Sequence, residues 1–194
     1  SGGSQDADLP LGRAVYARTC ATCHELFGTG SDVGPALTGS NRRDLEYILS
    51  NVIDPSAVMA KEYQPYTVIT VDGRVVTGIL KAATDATVTL RTANEKVVLA
   101  KDDIDEMTLS PKSMMPEDQW NTLSDREVRA LVAYLASPSQ TPMRATRETA
   151  SLIFNGVDRA GWRGNDKLWS VENGELVGRS EGLKHNEFLI SDML

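Results

Sequence analysis

Cysteine and histidine are scarce in this chain, with two of each among 194 residues. A zinc site would have to use both histidines, His24 and His185, to complete a set of four around Cys20 and Cys23. No βαβ pattern surrounds the cysteines, which argues against a thioredoxin-type dithiol. A disulfide across so short a loop would add little stability. Aromatic residues make up only 6%. No apolar run approaches the length of a membrane-spanning helix. Basic residues are outnumbered, giving a net charge of −7, which argues against nucleic acid and anionic membrane surfaces as partners. That charge would suit a basic or neutral protein partner.

What the chain does contain is concentrated in one stretch, Cys20-Ala21-Thr22-Cys23-His24. Two cysteines separated by two residues and followed at once by histidine form the pattern of covalent c-type haem attachment. Each thiol adds to one vinyl group of a porphyrin, so the sulfurs must sit about one helical turn apart. His24 is then placed to supply an imidazole nitrogen as the fifth iron ligand. The expected cofactor is one haem c, bound through Cys20 and Cys23. In bacteria such attachment takes place outside the cytoplasm, so the expected location is periplasmic or otherwise extracytoplasmic.

In chain order, residues 1–10 read as a leader, with Ser1-Gly2-Gly3-Ser4 as the remnant of processing or cloning. Residues 11–23 read as a helix in which Gly12 permits close packing, and Tyr16, one turn before Cys20, is expected to fill the groove beside the haem. Gly28, Gly30 and Gly34-Pro35 mark a loop. Residues 41–52 read as a second helix with Leu45, Ile48, Leu49 and Val52 on one face and Arg42, Arg43 and Glu46 toward water, stopped by Asp54-Pro55. Between about 66 and 109 the period changes to alternation: four short strands, with Asp72-Gly73 as a hairpin turn, predict a small antiparallel sheet or barrel. A last helix opens on the capping box Ser124–Glu127 and continues through Val128, Leu131, Val132 and Leu135 to Pro138. Tyr134 is expected near the haem edge.

Residues 11–137 resemble the haem-binding cytochrome c domain found in planctomycete and verrucomicrobial proteins. The matching pieces are Cys20–His24, Gly34-Pro35-Ala36-Leu37, Asp54-Pro55-Ser56, the Val71–Gly78 hairpin, Ser113–Pro116 and Leu131–Leu135. The resemblance implies a mainly α class I cytochrome c fold with a small antiparallel β insertion. It implies that the Pro35 carbonyl orients His24 and raises its basicity. It also implies a methionine beside a proline as sixth ligand, which here is Met115, with Met114 as competitor and Met59 and Met107 as remoter candidates. Fusion to sugar dehydrogenases or other carbohydrate-active modules is frequent in that family, so such an enzyme is the expected redox partner.

Residues 138–150 read as a polar linker. Residues 151–194 resemble the opening of the 3-keto-disaccharide hydrolase family, a concanavalin-like β-sandwich, through Leu152–Gly156, Gly161-Trp162 and Trp169–Val177. Only about a quarter of such a domain is present, so an incomplete β tail without hydrolase activity is expected, with His185 exposed in it. Open strand edges there or in the insertion would be the natural place for self-association.

The leading expectation is one-electron transfer without substrate turnover. An open sixth position would instead give a gas-binding or peroxidase haem protein. A third reading makes the chain an interaction module of a carbohydrate-degrading protein.

Overall fold

The computed structural model describes residues 8–147 and 149–192. Helix α1 spans Leu9–Thr19, capped by Asp8, whose carboxylate accepts from the Leu11 N–H at 3.1 Å. It stops four residues short of the expected end. The Cys20 N–H still donates to the Tyr16 carbonyl, but the Cys23 and His24 N–H groups both turn back onto the Cys20 carbonyl, at 3.0 and 2.9 Å. The cysteine motif therefore forms a turn at the helix end. Two-residue strands β1 (Glu25–Leu26) and β2 (Thr29–Gly30) follow.

Helix α2 spans Leu45–Ile53. It begins four residues later than expected because Asp44 accepts from the Glu46 and Tyr47 N–H groups and so fixes the N-terminus. Arg42 departs from its expected place in solvent. It is buried, lies 4.7 Å over the Phe27 ring, and donates to the Leu135 and Ser137 carbonyls. Those carbonyls close helix α3 (Asp125–Ala136), where a cation satisfies orphan acceptors and the negative helix end together.

Helices α1 and α3 cross with their backbones in contact. A β-carbon at Gly12 would lie 2.1 Å from the Ala130 carbonyl oxygen, so only glycine permits this approach. The buried side chains at the crossing are Val15, Tyr16, Leu26, Ile48, Leu131, Tyr134 and Leu135. The Tyr16 and Tyr134 rings tilt against each other at 5.7 Å.

Between these helical halves lies a five-stranded antiparallel sheet: β3 (Pro65–Thr70), β4 (Val75–Ala83), β5 (Thr87–Arg91), β6 (Lys96–Ala100) and β7 (Ile104–Leu109), in the order β6-β5-β4-β3-β7. A flat sheet of this width would hold its edges about 19 Å apart. The link from Ala100 to Ile104 reaches at most about 14 Å, so the sheet must curl toward closure. It has its own core of Val68, Val76, Val88, Leu90, Val97 and Leu99. Strand β7 was not expected from the sequence.

The expected mainly α fold is thereby corrected. The structure is 25% helix and 26% strand, and the sheet is a second folded body of comparable weight, not a small appendage to a class I cytochrome.

After α3 the chain stays against the helical body for a few residues: Arg13 donates to the Thr141 carbonyl at 2.7 Å and Tyr134 donates to Gln140. The tail forms a short helix α4 (Ala150–Ile153) and two small strand pairs. Strands β8 (Trp162–Arg163) and β11 (Ile190–Ser191) pair antiparallel. Strands β9 (Trp169–Glu172) and β10 (Glu175–Gly178) form a hairpin whose turn residues, Asn173 and Gly174, have φ of 51° and 80°. Among the described residues, no helix is long and apolar enough to cross a membrane.

The N-terminus of α3 carries a pH-dependent element. Glu127 accepts from the Ser124 N–H and hydroxyl, both at 2.8 Å, and from Arg18, which together hold its carboxyl down to about 2. A folded value below the unfolded one stabilises fully above the ordinary glutamate range and is lost as pH falls toward 2. Glu127→Ala is expected to cost about 1 kcal/mol at neutral pH. In thermal melts, the gap between the variant and the parent should close between about pH 4.5 and the folded value of about 2.

Candidate functional site

The site is built where α1 ends. Cys20 and Cys23 are both free thiols, partly buried on the turn, and burial pushes both up from the ordinary thiol range. At Cys23 the Arg91 guanidinium acts against that burial. Beneath the turn lies Tyr16, fully buried, whose hydroxyl donates to the His24 carbonyl oxygen at 2.6 Å with the Thr29 carbonyl 3.0 Å away. Tyr16 thus holds the backbone of the histidine, a role its position one turn before Cys20 did not disclose. Burial raises its own pKa far above the phenol range.

His24 Nδ1 lies 2.8 Å from the Pro35 carbonyl oxygen. A carbonyl can only accept, so Nδ1 carries the proton and Nε2 is left with its lone pair free. Burial holds the imidazole pKa below its ordinary value, while the Pro35 carbonyl acts in the opposite direction. The neutral ring with a defined tautomer is the form that ligates a metal.

Residues 31–37 form a strap that passes along one side of this ring at Gly34 and Pro35. The Ser31 N–H donates to the His24 carbonyl at 3.3 Å, and the Gly34 N–H donates to the Cys23 carbonyl at 2.7 Å. A β-carbon at Gly34 would sit 2.6 Å from His24 Cε1, so glycine here lets the strap lie against the imidazole.

Met115 is on the loop between β7 and α3, half-buried beside Met114, with its N–H donating to Ser113 Oγ at 3.1 Å. The Ser113 N–H in turn donates to Ser56 Oγ at 3.2 Å. That bond ties the Met114-Met115 loop to the segment after α2 that carries Met59. Met107 is on β7 and packs against the core of the sheet. His185 is exposed in the tail. The structure therefore gathers Tyr16, Cys20, Cys23, His24 and Pro35 directly and anchors the methionine loop through Ser56.

A haem fits this donor set on features of the chain itself. The two thiols are free and the imidazole presents one unprotonated nitrogen. The Trp120 indole N–H, packed at the helical core, is buried with no hydrogen-bond partner, a donor suited to an acceptor on a bound group. Helix α2 leaves Leu45 and Ile53 more than half exposed, and Val58 follows at 82%, which is apolar surface that a porphyrin face can cover. Among the described residues no group of three or more His, Cys, Asp and Glu side chains is arranged to hold a metal ion by itself.

Residues 7–66 match the family model described as cytochrome c oxidase, cbb3-type, subunit III. The match supports a cytochrome c-type domain over this stretch and, with it, haem-based electron transfer in general. The match covers α1, the cysteine turn, the strap and α2, and stops at the second residue of β3. The sheet, Met115, α3 and the tail lie outside it. Among curated proteins, none matches the chain.

Proposed function

We propose that the chain is a monohaem c-type electron carrier, extracytoplasmic, with the haem held by Cys20 and Cys23 and the iron between His24 and Met115. The observation that carries this reading is the 2.8 Å bond from His24 Nδ1 to the Pro35 carbonyl, one residue beyond a turn bearing two free thiols. When bound, the haem supplies an iron that alternates between ferric and ferrous states and so takes up and gives back one electron.

The chain's own residues do the rest. Cys20 and Cys23 retain the group. The Pro35 carbonyl holds the Nδ1 proton and strengthens Nε2 as a donor. Tyr16 and the strap fix the ring's backbone. Met115 would offer the iron a neutral thioether, a ligand that favours the ferrous state. The acidic surface suits a basic or neutral redox partner, and a sugar dehydrogenase is the candidate favoured by the resemblance of residues 11–137.

Absorption spectra of the haem-loaded protein test this. The ferric parent should show the weak far-red band of methionine-to-iron ligation, and Met115→Ala should lose it. A high-spin parent spectrum would overturn Met115 as ligand and favour an open site that binds gases or peroxide. Loss of the band in Met114→Ala alone would transfer the role to that neighbour.

A further inference from the structure

The sheet does not stand apart from the histidine strap. Arg91, the last residue of β5, donates from Nη2 to Ser31 Oγ at 3.3 Å, and its Nε lies 3.5 Å from the Asp32 carboxylate. The Arg91 side chain is 16% exposed, and its Nε is buried without a hydrogen-bond partner. Asp32, by contrast, is 75% exposed, so water screens the carboxylate and it neutralises the guanidinium poorly.

A second cation reaches the same strap. Along the β4–β5 pair, Leu80 faces Leu90 and Ala82 faces Thr89, which leaves Lys81 as the extra residue of a β-bulge. Bulges re-aim a side chain out of the pleat. Here Lys81 Nζ approaches the Asp32 carbonyl oxygen at 3.4 Å and the Tyr63 ring at 5.9 Å. Ser31 itself bonds the His24 carbonyl, and the strap runs on to Gly34 and Pro35.

We propose that the sheet is a redox-tuning element, in which Arg91, assisted by Lys81, places incompletely compensated positive charge against the strap of the ligating histidine and so favours the ferrous state. The inference rests on the electron-carrier reading above. A ferric centre carries one more positive charge than a ferrous one, so a poorly screened cation nearby opposes oxidation. Arg91 and Lys81 are positioning residues: they act on the iron through their charge and through the strap, without touching it. The sheet thereby has a function that its separate hydrophobic core does not explain.

The test is a potentiometric titration of the full haem-loaded chain, reading the ferric-to-ferrous ratio at fixed solution potential. Arg91→Gln should raise that ratio at least about threefold, a tenfold change being 59 mV for one electron. Asp32→Asn removes the opposite charge and should lower the ratio. Arg74→Gln, in the exposed turn between β3 and β4, makes the same change in net charge and should leave the ratio unaltered. If Arg91→Gln fails to fold or to load haem, Lys81→Gln carries the same prediction in sign, paired with Asp32→Asn in the opposite sense.

An Arg91→Gln ratio equal to that of Arg74→Gln would overturn the proposal. So would Arg91→Gln and Asp32→Asn moving the ratio in the same direction, since loss of strap structure alone predicts that result. A parent protein that loads haem normally while the variants do not differ would sink the tuning role alone. A parent that takes up no haem would overturn the carrier reading and the tuning role together.

Discussion

Cys20→Ala/Cys23→Ala is expected to abolish retention of haem on denaturing gels stained for peroxidase activity, whereas either single variant should retain it through the remaining thioether. Each attachment adds a thiol S–H across a vinyl double bond: sulfur bonds one vinyl carbon and the proton ends on the other. No other thiol exists in the chain to substitute. Both sulfurs belong to a turn fixed from within, because the Cys23 and His24 N–H groups converge on the Cys20 carbonyl. Alanine preserves that turn, so the double variant tests the bond and not the fold. Haem that persists on the double variant after denaturation would contradict the assignment.

The second large effect is expected at Gly34→Ala. The added methyl would lie 2.6 Å from His24 Cε1 and 2.9 Å from Nδ1, closer than any real packing contact. Either the imidazole swings, which breaks its bond to the Pro35 carbonyl, or the strap withdraws and carries Pro35 with it. Both outcomes remove the group that fixes the tautomer. Losses of this kind typically weaken metal ligation by about 10- to 100-fold, and overpacking costs about 1–3 kcal/mol of stability. The measurable results are a shift of the ferric spectrum toward high spin and a lower melting temperature. A variant with the parent's spectrum and melting temperature would show that the strap does not press on the ring.

The parts of this architecture legible from sequence are those made by near neighbours. The cysteine turn, the Ser124–Glu127 box and the Asp72-Gly73 hairpin are all specified within a few residues. Strand β7 is not legible because Ile104–Leu109 has two adjacent acidic residues, Asp105 and Glu106, with Thr108 beyond Met107, and alternates poorly. Its place depends on pairing with β3 about forty residues earlier. Alternation alone marks the strands but not that they share a core of their own, which makes the sheet a body in its own right. Helical periodicity places Arg42 in solvent, but the carbonyls at the end of α3 that it satisfies lie more than ninety residues away. Arg91 carried no sequence signal either, since its partners Ser31 and Asp32 are about sixty residues distant.

Local and long-range bonds meet around His24. Tyr16 supports His24 from below and Pro35 orients its ring. Arg42 closes α3 over the helical core, while Arg91 and Lys81 bring the sheet to the strap. The cysteine motif is local, and residues remote in sequence set its surroundings.

The central claim, that Cys20 and Cys23 bind one haem covalently, is tested most directly by intact-protein mass spectrometry after expression with a cytochrome c maturation system and extraction with acidified acetone. The account predicts a chain heavier by one haem, with both thiols blocked to alkylation. An unmodified chain with two alkylatable cysteines, obtained under conditions that load other c-type cytochromes, would contradict it.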